Sequence, residues 1–202
     1  MAHPIVTQLT LVAGSANTIA TVQSLVAPAL TATLNGASVA AGIAVLTPAR
    51  RVIVTSSADD SGITFTITGT ARAEMGSVTF SETITGANTG IASGKKAFAS
   101  VTTTPTKSGS AAGTVKIGTG DVLGLPVFLP GTAAAFILKE LQDGAVATAG
   151  TAVAGVTTAG GSTATTGDVR GTYDPNAACD GSKVFELILA LPDPQFLGMP
   201  QA

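Results

Sequence analysis

Ile63-Thr64-Phe65-Thr66-Ile67-Thr68 alternates without a break between apolar and hydroxyl-bearing side chains. A period of two turns Ile and Phe to one face of an extended chain and Thr to the other, as a half-buried antiparallel strand requires. The same period recurs at Val78, Phe80 and Ile84 against Thr79, Ser81, Thr83 and Thr85. Glu82 interrupts that apolar face, which predicts a place near a sheet edge. Arg50–Thr55 sets Val52 and Val54 on one face and Ile53 on the other, and Phe98–Thr103 and Thr114–Ile117 supply two further strands. Turn residues separate the runs: Asp59-Asp60-Ser61-Gly62, the Ala71–Ser77 stretch with Gly76, and Gly86-Ala87-Asn88-Thr89-Gly90. Strand starts recur about every 12 to 15 residues, a spacing that reads as a small β-sandwich or barrel. The sequence shows no sustained helical pattern, and no fixed repeat that would support a solenoid or propeller.

Gly118-Thr119-Gly120 marks a plausible boundary. Beyond it, Phe136–Leu141, Asp143-Gly144 and Ala145–Val156 read as a hairpin around an Asp-Gly turn. Gly160–Gly167 is a loop, Gly167–Tyr173 a short strand and Asp174–Gly181 a turn. Val184–Leu191 is apolar except at Glu186, so it reads as a strand buried on both faces. Pro192, Pro194 and Pro200 prevent the tail from forming a helix of any length. The expected fold is all-β, with antiparallel sandwich or barrel modules, an extended N-terminal arm and a Pro-rich C-terminal tail. The expected division is 1–49, a charge-free arm or strands completed by a partner; 50–120, a β-sandwich module; and 121–202, a second β module with the tail.

Charged residues make up 11% of the 202 residues, against about 25% in a typical globular domain. Ten Lys and Arg in a chain of net charge -2 leave little to neutralise phosphates, which argues against nucleic acid as a partner. From Pro4 to Ala49 there is no charged residue at all. Ala27–Leu46 is nevertheless a poor membrane span, because it holds Pro28, Asn35, Gly36 and Gly42 and its apolar residues are largely Ala. Two or three extended segments covered by other protein is the better reading. The single Cys179 excludes an intramolecular disulfide and reads as a small loop residue rather than a reactive thiol.

Candidate chemistry is sparse, and no enzyme or cofactor is expected. Gly118–Gly124 lacks the G-x-G-x-x-G spacing, and Pro126 forbids the helix that would hold a phosphate. From Asp174, an EF-hand count places Ala178, Cys179 and Phe185 where an oxygen ligand, Gly and Glu belong, so the stretch reads as ordinary turn chemistry. One His, at position 3, makes a Ser-His-Asp triad improbable, and one Tyr with no Trp offers few platforms for sugars. Arg50-Arg51 and Lys95-Lys96 are basic pairs open to two readings: contacts to phosphate or a capsid surface, or a solvated strand end and a solvated turn.

Arg50–Ser57, Asp59–Thr70 and Ser81–Asn88 in that order, followed by Thr166–Pro175 and Asp180–Lys183, carry a further signal. This set resembles a module of virion structural proteins of tailed bacteriophages, of the capsid decoration (cement) type, over about Arg50–Leu191. The resemblance implies a capsid-associated, non-enzymatic role and carries over no catalytic residue. It leads to a protein made in the host cytoplasm and located on the virion capsid surface, with the phage major capsid protein as partner. A homo-oligomer is expected, and a trimer suits the local threefold positions of a capsid lattice. The alternatives are a head-fibre or tail component, or a bacterial surface adhesin-like binding module. Interface candidates are the apolar residues of the two flanks: Leu9, Leu11, Ile19, Leu25, Leu30, Phe196, Leu197 and Met199.

Overall fold

The structure, a computed structural model, describes residues 3–10, 13–27, 31–71, 79–127, 129, 137–155 and 171–191. Among them the chain forms fourteen strands and no helix. In chain order these are β1 (His3–Thr10), β2 (Ala20–Ser24), β3 (Val39–Ala40), β4 (Ile43–Asp59), β5 (Thr64–Thr70), β6 (Thr79–Thr85) and β7 (Asn88–Val101). They continue with β8 (Thr106–Lys107), β9 (Thr114–Gly124), β10 (Ile137–Gln142), β11 (Ala145–Ala147), β12 (Thr151–Ala154), β13 (Gly171–Asp174) and β14 (Val184–Leu191). All pairings are antiparallel, as the alternating patterns predict.

Ten strands make one sheet in the order β12-β13-β9-β4-β7-β5-β6, with β2 beside β9, β3 beside β4 and β8 beside β5. The sheet curls into a half-barrel around a core that includes Ile19, Val52, Val54, Phe65, Ile67, Phe80, Ile84, Phe98, Val115 and Ile117. The other four strands form a smaller sheet in the order β1-β14-β10-β11. Leu187 and Leu189 of β14 pack with Tyr173 of β13 and with Leu125, Val127 and Leu129, so a second core joins the two sheets. Tyr173 Oη donates to Glu140 Oε2 across the same junction, and the Gly150 N–H donates to that oxygen at 2.9 Å.

Three expectations are corrected. Positions 49/50 and 120/121 fall inside the continuous strands β4 and β9, so the chain does not divide there. The described part of the first 49 residues is not an unpaired arm: β1 pairs with β14, β2 with β9 and β3 with β4. Finally, β14 has one buried face, Phe185, Leu187 and Leu189, and a half-buried face with Val184, Glu186, Ile188 and Ala190. The tail, 192–202, lies outside the described residues.

Candidate functional site

The two basic dipeptides, far apart in sequence, meet on adjacent strands. Arg50-Arg51 lies in β4 and Lys95-Lys96 in β7, and the register places Arg51 opposite Ala97. Strand geometry then sends one member of each pair to each face. Arg50 and Lys96 are buried, whereas Arg51 is half-buried and Lys95 exposed. The expected solvated strand end and solvated turn are thus corrected: both pairs sit in strand interiors.

On the inner face, β7 carries extra residues against β4: Arg51 and Ile53 oppose Ala97 and Ser93. Such a bulge leaves backbone donors without a ladder partner. The Glu82 carboxylate of β6 takes them, accepting the N–H of Lys95 at Oε1 and that of Lys96 at Oε2, the latter at 3.2 Å. Gly94 makes the approach possible, because a Cβ there would stand 2.5 Å from Glu82 Oε2 and 3.0 Å from the Val52 carbonyl oxygen. Lys96 Nζ donates to the Ser81 carbonyl at 3.1 Å and lies 5.3 Å from the centroid of Phe80, whose ring stacks on Phe98. Burial pushes the Glu82 carboxyl above its ordinary range, and the two N–H bonds and the lysine charges offset this only in part. Glu82 is on the edge strand, as its interruption of the apolar face predicts, yet it is only 3% exposed.

On the outer face, a cavity of about 170 Å³ spans β7, β4, β9, β13 and β12. Arg51, Lys95, Val122, Val153, Thr172 and Asp174 line it. Arg51 Nε is shielded from solvent and has no hydrogen-bond partner among the described residues. A groove of about 570 Å³ between β6 and β7 adjoins it through Gly94 and Lys95.

The interface candidates fall elsewhere. Ile19 and Leu25 are 0% and 3% exposed in the core of their own chain, a correction to their proposed place at an interface. Leu9 lies in β1 opposite Phe185; Leu11, Leu30, Phe196, Leu197 and Met199 lie outside the described residues. Cys179 is buried beside Leu123 and Phe185, and burial, reinforced by the nearby Asp121 charge, pushes its thiol up to about 11. Asp180 accepts from the Ser182 and Lys183 N–H groups, both at 2.9 Å, which is ordinary turn chemistry. Among the described residues no three His, Cys, Asp or Glu gather to hold a metal, and no helix is long and apolar enough to cross a membrane.

The convergence of Arg51 and Lys95 was not read from the sequence. Its signal was present: each dipeptide lies in an apolar run, where one of two adjacent side chains must face outward. Comparison with known protein families, curated proteins and solved structures finds no match to this chain.

Proposed function

We propose that this chain is a non-enzymatic structural protein of a tailed-bacteriophage virion, which binds the outer face of the major capsid protein as a decoration (cement) protein. It acts as a homo-oligomer, a trimer at local threefold positions, and holds neighbouring capsomers together. The observation that carries this reading is the side of β1 that no described strand covers. This eight-residue strand ends the smaller sheet and contains no charged residue. Sheet edges in proteins that stay apart are commonly protected by charge, proline, bulges or covering segments, and of the first two β1 carries only Pro4, at its second residue. An uncharged edge suits a protein whose strands continue into an assembly.

Mixing the purified chain with shells assembled from a tailed-phage major capsid protein, followed by sedimentation, tests the proposal. The expected result is saturable recovery with the shells. Recovery only in the supernatant, or with tail structures instead, overturns it.

A further inference from the structure

We propose that the outer-face cavity between Arg51 and Lys95 is a docking site for one carboxylate side chain, an Asp or Glu, of a partner protein. A guanidinium remains charged at any pH a folded protein meets and offers five N–H donors. A shielded donor is normally paired, and an exception in a folded chain asks for a cause. Arg51 Nε is such an exception, but it lies closed off over Gly120, so the terminal Nη groups are the donors left to a ligand, and among the described residues the guanidinium has no ion pair. Lys95 adds a second cation at the cavity rim, and Asp174 a single anion. At neutral pH the lining therefore carries one net positive charge, which matches a singly charged carboxylate better than a phosphate dianion. The planar fork of Arg51 suits two carboxylate oxygens. The rest of the lining fits the same ligand: Val122 and Val153 offer apolar walls to the methylenes of an acidic side chain, and the Thr172 hydroxyl is at hand as a further donor.

The inference does not depend on the virion reading; it names a chemical group, not an assembly. Amide shifts of the 15N-labelled full chain, followed at constant ionic strength, test it. Four probes are added in turn: N-acetyl-glutamate amide, N-acetyl-glutamine amide, sodium acetate and sodium phosphate. Saturable shifts at Lys95, Val122 and Thr172 are expected with the glutamate compound in the millimolar range, and none with the glutamine compound. Arg51→Gln and Lys95→Gln should each weaken binding at least tenfold. Lys95 is exposed, so its variant keeps the test decisive if Arg51→Gln does not fold. Tighter binding of phosphate overturns the assignment, as does binding of acetate without the glutamate compound. Equal binding of the glutamine compound, or binding unchanged in both variants, overturns it as well.

Discussion

Phe65 and Thr66 are neighbours in the chain and face different surroundings. Phe65 is 1% exposed inside the half-barrel, while Thr66 is half-buried with its hydroxyl 3.4 Å from that of Thr83. Phe65→Ala is expected to cost about 3–5 kcal/mol and Thr66→Ala less than about 1, read from urea unfolding midpoints. Gly94→Ala pushes a methyl against Glu82 and Val52 and is expected to cost about 1–3 kcal/mol, with Ser93→Ala close to neutral. Glu82 carries a pH dependence of unusual sign. Its proton is held more tightly in the folded chain than in the unfolded one, where the carboxyl titrates near its ordinary value of about 4.3. Protonation therefore favours folding, and the contribution is lost as pH rises from that value through the folded one. Wild type should lose stability relative to Glu82→Gln between pH 4.5 and pH 7.5; parallel pH profiles of the two unfolding midpoints would contradict this. The edge position of Glu82 was legible because a charge broke an apolar stripe. Its burial was not, because the donors that hold it belong to a bulge, and a bulge leaves no periodic mark in sequence.

The strands themselves were the most legible level. Thr64–Thr70 and Thr79–Thr85 follow their alternation closely, and Asp143-Gly144 turns β10 into β11 with φ of 52° and 80°, the left-handed pair that an Asp-Gly hairpin needs. What periodicity does not reveal is which strand lies beside which. The centre of β4 has β7 on one side and β9 on the other, from Ile53↔Ser93 and Ile53↔Gly118. The candidate cavity exists only through such long-range pairing, so its residues looked unrelated in the sequence. Pairing on both sides also orders amide exchange. The Val52–Val54 amides should exchange slowest in the free protein, and the β1 amides that point away from β14 fastest. Upon assembly those β1 amides should become protected; unchanged exchange there would remove the edge from the interface.

At the scale of the molecule, low charge bears on how the proposed partner would be held. The spans Pro4–Ala49 and Gly144–Gly167 contain no charged residue, so contacts made by them resist salt. If the proposed capsid role holds, the protein is expected to stay on particles through 1 M NaCl, where the Debye length is about 3 Å, and to leave in moderate guanidinium. Pelleting washed particles and running gels of pellet and supernatant checks this. Release by NaCl alone would make Arg51 and Lys95 the main contact, since Arg50 and Lys96 are buried. The pairing of β1 with β14 bears on something else, the timing of synthesis. His3 faces Leu191, so β1, the first of the described strands to be made, waits for β14, the last of them. At about 5–20 residues per second, a ribosome keeps β1 without its neighbour for roughly 10–40 seconds. During that interval both edges of an uncharged strand are open, and many growing chains on one message stand close together. A chaperone that shields extended apolar segments would matter most in that window, and a chain stopped before Val184 would never leave it.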